Sequence, residues 1–385
     1  MTFSPAIRIA RALKTLWIIS SLALLAVTAP AQTPGEPSEK LLLLQEMTRH
    51  GPRYPMQNFS NITHLAEADL GELTPAGLRS HYILGKNIQA TYPEFFDHYF
   101  NANEIEVRST GWNRTIMSAI AHLEGIFDQF SEKPLDIPQT DWRLLPDSYT
   151  NAAAFDVTKL DFPTALPQKY YPFPVHTVPT QNSIDWLLMA KNSCMSKEHS
   201  RLTAAAERTA NGRVKDTLFY SKTLAEMQKR FDISEEKMGG LQPSKSNGFM
   251  PFYSNVYLMA DYYMSITLTN PKGPLDIVSS KSDWLLFVKM KILYYMTMLD
   301  YTNDYKLAQV CATPILKRLR DNIAAKINAD QNPNSDAKKY DLKYLYLSAH
   351  DSTIMELFSG SKFQDPECFF QFVENYTPER DDPRL

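Results

Sequence analysis

Leu41–Pro55 reads LLLLQEMTRHGPRYP. Four consecutive leucines have the length and bounding of a buried strand, and a strand buried on both faces belongs to a sheet covered by helices on both sides. The run empties directly into Arg49, His50, Gly51 and Arg53. In an open α/β sheet, ligands sit in the crevice at the carboxyl ends of the strands, so the apolar residues end where cationic chemistry begins. Arg49 and Arg53 carry planar forks that grip phosphate through paired charge-assisted hydrogen bonds and stay charged at any working pH. Gly51 permits close backbone approach, while Pro52 and Pro55 stiffen the turn. His50 is the titrating group of the set. Its cationic neighbours disfavour a second positive charge, which keeps a neutral ring nitrogen available as a nucleophile even in acid. The stretch reads as a phosphate site.

Two further stretches repeat the pattern. Ile105-Glu-Val alternates as a short strand and delivers Arg108 and Ser109 at its carboxyl end, and Ile116, Ile120, Leu123 and Phe127 then space an amphipathic helix. Leu342–Leu347 alternates with Tyr344 and Tyr346 and presents Ser348, His350 and Asp351, with Asp351 also placed to cap the following Thr353–Phe358. Between the first two, Thr74-Pro75 is a helix start, and Leu78, Tyr82, Ile83, Leu84 and Ile88 give the expected apolar face up to Ala90. Arg114 is expected to be structural, pairing near its helix start. His176 is expected in a loop, held by hydrogen bonds.

RHGPRYP resembles the Arg-His-Gly-x-Arg-x-Pro signature of the histidine acid phosphatase family. IEVRSTGWNRTIMSA resembles the family's segment bearing another phosphate-binding arginine, and KYLYLSAHDST its C-terminal His-Asp signature. GELTPAGLRSHYILGK and FPVHTVP are similar to the prostatic and lysosomal branch. The likeness covers residues 40–200 and 340–355. It implies an α/β fold, a mostly parallel central sheet flanked by helices, with an inserted smaller helical domain shaping substrate choice. It implies His50 as nucleophile, Asp351 as proton donor, and Arg49, Arg53, Arg108 and His350 as phosphate ligands. The substrate class is a small phosphate monoester, hydrolysed through a phosphohistidine without a cofactor. The alternatives are an inositol-phosphate phosphatase of the same superfamily, or an inactive secreted binding protein on this fold.

With 385 residues, 44% hydrophobic and 22% charged, the chain can bury a large core, and a net charge of −3 argues against nucleic acid as partner. No metal-ligand spacing occurs among the eight histidines and three cysteines, so no metal is expected. Arg8, Arg11 and Lys14 precede the apolar run Leu16–Val27, and Ala29-Pro30-Ala31 has the small-residue spacing of a cleavage site. Residues 1–31 are thus read as a signal peptide, and the mature chain is expected not to span a membrane. The secretory route follows, with an extracellular or lysosomal/vacuolar destination and a homodimer as one expected assembly. Asn58, Asn61 and Asn375 head glycosylation acceptor triplets, whereas Asn113, five residues past Arg108, is expected to be unoccupied.

The remaining divisions are a first catalytic part over 40–141, a helical insertion over 142–300 and a second catalytic part over 301–385. Within the insertion, Trp284–Leu299 is almost wholly apolar, but Lys289 and Lys291 make a buried helix the expectation rather than a membrane span. Ile315–Ile327 reads as a charged amphipathic helix. Cys194, Cys311 and Cys368 allow at most one intrachain disulfide. The resembling family draws bridges from a longer C-terminal region, which is expected to be missing beyond Leu385.

Overall fold

The computed structural model describes residues 23–26, 41–56, 69–128, 166, 170–180, 185–189, 217–232, 255–269, 273–302, 305–331 and 340–362. Cys194, Cys368, Asn58, Asn61, Asn375 and most of the expected leader lie outside them. Five strands form one sheet in the order β1-β2-β5-β3-β4: β1 (Ala23–Ala26), β2 (Leu44–Arg49), β3 (Ile105–Ser109), β4 (His176–Thr177) and β5 (Tyr344–Ala349). β2, β5, β3 and β4 run parallel, and β1 pairs antiparallel along the outer edge of β2. The fold is therefore α/β with a mostly parallel sheet. Ala23–Ala26, inside the apolar run of the expected leader, here satisfies the backbone groups of an edge that would otherwise lie open. His176, expected in a loop, lies in the two-residue β4 against Arg108.

The helices among the described residues are α1 (Pro75–Thr91), α2 (Asn113–Phe127), α3 (Leu218–Phe231), α4 (Asn255–Thr269), α5 (Lys281–Thr302), α6 (Tyr305–Gln331) and α7 (Asp351–Gly360). One face of the sheet, with Leu44, Val107, Tyr344 and Tyr346, packs with Leu123, Ile126 and Phe127 of α2 and Ile88 of α1. The other, with Met47, Leu345 and Leu347, packs with Ile315 and Leu319 of α6 and Ile354 and Leu357 of α7. A third apolar cluster joins α3, α4 and α5 through Met227, Tyr262, Tyr263, Met290 and Leu293, and reaches Met355 of α7. As expected, α5 is buried, and Lys289 pairs with Glu226 at 2.7 Å. No helix among the described residues is long and apolar enough to cross a membrane.

Two further sequence expectations are corrected. The opening strand is Leu44–Arg49 rather than the leucine run, because its polar residues find partners inside: Gln45 accepts from Asn322 at 2.9 Å, Glu46 from Tyr344 at 2.6 Å, and Thr48 shares a hydrogen bond with Tyr346 at 2.8 Å. The buried face of α1 is Gly77, His81, Gly85 and Ile88, and Ile83 is 50% exposed. A Cβ on Gly85 would meet the carbonyl oxygen of His122 at 2.0 Å, so α1 and α2 cross at backbone contact. Close approach, not apolar area, chose that face.

Candidate active site

The register of the parallel strands builds the site. Arg49 pairs with Ala349 and Ser109 with Ser348, so His50, His350 and Thr110 leave the sheet side by side at its carboxyl edge. The imidazoles of His50 and His350 meet edge to face with centroids 5.5 Å apart. The loop after β2 lies directly on the start of α1. Thr74, the helix cap, accepts from Gly77 N at 3.0 Å and donates its hydroxyl to Pro52 O at 2.8 Å. A Cβ on Gly51 would sit 2.5 Å from Gly77 O, which is why this position needs glycine.

His50 is 4% exposed, and its Nδ1 lies 2.8 Å from Gly51 O. A carbonyl only accepts, so the proton sits on Nδ1 and the Nε2 lone pair is left for attack. Burial first, then the charges of Arg49, Arg114, His350 and Arg53, hold this ring well below the ordinary histidine range, so it stays neutral in acid. Gly51 N donates to Ser118 Oγ at 3.1 Å, which ties the loop to α2.

Asp351 opens α7 directly beyond β5. Its Oδ2 accepts from Arg49 Nε and from Tyr294 Oη, each at 2.8 Å, and its Oδ1 from its neighbour Ser352 N at 2.9 Å. Burial favours the acid, but Arg49, the Tyr294 hydrogen bond and His350 outweigh it and hold the carboxyl below the usual range. His350, rather than Asp351, occupies the N-cap position of α7. Its Nε2 is 3.0 Å from Thr110 Oγ1, which is itself 2.8 Å from Thr115 Oγ1.

Each arginine finds a different setting. Arg53 donates to Asp261 of α4 at 2.8 Å, with both side chains 8% exposed. Arg108, 25% exposed, faces Asp185 at 3.7 Å. Arg114, expected to pair structurally, instead has no carboxylate within ion-pairing distance among the described residues; it lies over Trp112 at 4.8 Å and donates weakly to Gly71 O at 3.4 Å. Burial, then the like charges of Arg53 and Arg49, push its guanidinium down to about 9. Arg114 thus belongs to the cationic cluster around His50, whereas Arg108 pairs with its own acid, Asp185.

Sequence reasoning gave Arg114 a structural part and passed over Thr110, Tyr294 and Asp261. Thr110 follows β3 immediately and could have been read from the strand-end position, and Arg114 stands in the first turn of α2. Asp261 is the single charged residue of α4, a weak signal, and Tyr294 lies unmarked in an apolar run. No group of three His, Cys, Asp or Glu side chains among the described residues is placed to hold a metal ion. Cys311 is buried.

Residues 40–360 match the histidine phosphatase superfamily (branch 2). Among curated proteins, the lysosomal acid phosphatase of Xenopus laevis is 32% identical over 128 residues, 32% of this chain and 29% of that protein. The prostatic acid phosphatase of Bos taurus is 33% identical over 111 residues, 28% of each. The aligned stretch is thus less than a third of either relative. Among solved structures, the phytase of Klebsiella sp ASR1 superposes with a TM-score of 0.53 at 15% identity, covering 85% of this chain and 73% of that one. The phytase of Citrobacter braakii gives 0.53 at 13% identity, covering 83% and 75%.

Proposed function

The chain belongs to the histidine phosphatase superfamily (branch 2), and from that premise we propose that it hydrolyses phosphate monoesters in acid through a phosphohistidine on His50. The observation that carries the reading is the single free lone pair of a buried, neutral His50, enclosed by guanidiniums and flanked by His350 and Asp351 from the neighbouring parallel strand.

A substrate phosphate enters the cationic cluster with its oxygens on Arg49, Arg53 and Arg114, and His350, steadied by Thr110, adds a hydrogen bond. Arg108, held by Asp185, serves the outer side of the same crevice. Positioning and charge neutralisation supply much of the rate. Nε2 of His50 attacks phosphorus in line, the P–N bond forms as the ester P–O bond breaks, and the departing oxygen takes a proton from Asp351. In the second step Asp351 removes a proton from water, the water oxygen bonds to phosphorus, and the P–N bond breaks to release inorganic phosphate. In the free site Asp351 is an anion shared between Arg49 and Tyr294. A phosphate dianion competes for Arg49 and adds like charge, raising the proton affinity of Asp351 as substrate binds.

The apolar leader-like segment and the acceptor triplets at Asn58, Asn61 and Asn375 support a glycosylated protein of the secretory route, and α3, α4 and α5 the helical insertion over the catalytic face. The test is turnover of nitrophenyl phosphate at pH 5 with acid and alkaline quench. Wild type should trap an acid-labile, base-stable phosphoenzyme, and H50A should neither trap it nor turn over. Retained turnover in H50A rejects the nucleophile. Parallel rates on phytate separate a monoesterase from an inositol-phosphate phosphatase.

A further inference from the structure

α4 carries one charged side chain in fifteen residues, Asp261. Its neighbours Ala260, Tyr262, Tyr263 and Met264 are buried in the apolar cluster with α3 and α5, where a carboxylate is costly unless paired. The partner is Arg53, whose Nη2 lies 2.8 Å from Oδ1, while Nη1 donates to Tyr54 O at 3.1 Å. This carboxylate has two opposed consequences. It fixes the plane of the guanidinium, so less ordering entropy is lost when an anion binds. It also repels the anion that Arg53 is held to receive, because ligand and carboxylate share one guanidinium. The same trimming recurs at Arg49 with Asp351 and at Arg108 with Asp185, whereas Arg114 has no such partner among the described residues. Among the described residues, three of the four guanidiniums thus stand against a carboxylate. A site built only for tight capture would not carry the acids.

We propose that Asp261 is a positioning residue that governs product release: it holds Arg53 in register for one phosphoryl group while offsetting enough of its charge for inorganic phosphate to leave. The inference rests on the phosphatase reading above. Nothing else on α4 could supply this function, since its remaining residues are uncharged.

The experiment is calorimetric titration of inorganic phosphate into the wild-type chain and D261N, together with phosphate inhibition of nitrophenyl phosphate turnover at pH 5. Asparagine keeps an oxygen that accepts from Nη2 and removes only the charge. One unit charge about 6 Å from the ligand, at an effective dielectric between protein and water, is worth roughly tenfold in affinity. D261N should therefore bind phosphate about tenfold tighter, with KM and kcat falling together and kcat/KM changing far less. A residue that merely braces the fold would give unchanged or weaker phosphate binding, and that result overturns the proposal. Should D261N fail to fold, D261S removes the charge with a smaller side chain and is judged by the same affinity. A wild-type chain that neither binds phosphate nor turns over refutes the phosphatase reading. A wild-type chain that does both, beside a D261N that binds no tighter, refutes the role of Asp261 alone.

Discussion

Replacing Arg114 by methionine should make the ligand-free protein more stable while removing most of its response to phosphate. The guanidinium is buried, has no carboxylate within ion-pairing distance among the described residues, and is held down to about 9, well below the ordinary arginine range, by burial and by the like charges of Arg53 and Arg49. At about 1.4 kcal/mol per unit, its environment opposes the cation by about 5 kcal/mol. Part of this returns through the stacking on Trp112, worth about 1 kcal/mol, and through the weak bond to Gly71 O. Methionine fills much of the stem volume, so a net gain of about 1–3 kcal/mol is expected, a rise in Tm of a few degrees. A cation whose folded pKa is depressed pays its full penalty at every pH below the folded value, so the gain should be equal at pH 5 and pH 8. Phosphate reverses the ranking. At a concentration 100 times the wild-type Kd, phosphate stabilises the wild type by about 2.7 kcal/mol. Loss of a charge-assisted contact worth about 3 kcal/mol weakens binding over a hundredfold and leaves the variant less than about 0.5 kcal/mol at the same concentration. Thermal melts with and without phosphate read both effects. An R114M protein that is less stable when free, or that keeps the full phosphate-induced rise, refutes the placement of Arg114 as an unneutralised anion ligand.

D351N should slow alkyl phosphate esters by about 10²–10⁴-fold and nitrophenyl phosphate far less, because a good leaving group needs little acid help; equal losses on both, in steady-state assays at pH 5, would count against the proton-donor role. His81 Nε2 lies 3.0 Å from Arg49 O, and burial, then His122, holds its ring down to about 3. The unfolded chain takes up a proton near pH 6.5 that the native state refuses, so the native state loses about 1.4 kcal/mol per pH unit from there down to about 3, or about 2 kcal/mol by pH 5. H81Q, whose amide can donate to the same carbonyl, should recover that amount, and urea midpoints at pH 7 and pH 5 that shift equally in both proteins would contradict it.

Much of the candidate site was legible because its residues are strand-end neighbours. A parallel register brings residues that follow equivalent strand positions together, so His50, His350 and Asp351 could be read as one group from two local patterns. The Thr74-Pro75 cap was equally local, and α1 begins there. The face that α1 buries was not. Hydrophobic periodicity marks the buried side only where apolar area drives packing, and here two helices meet through Gly85 and Gly125.

Sequence alone determined the strand, loop and helix alternation, the family, and a histidine set among arginines, because each is written within a dozen consecutive residues. The tertiary structure decided which arginine stands, among the described residues, without an acid in ion-pairing distance and which acids come to meet the others. Asp261 lies 208 residues from Arg53 and Tyr294 lies 57 from Asp351. Across such separations no local pattern reports the partner. A buried charge is placed by where the folded chain can neutralise it, and that is settled only once the helices have packed.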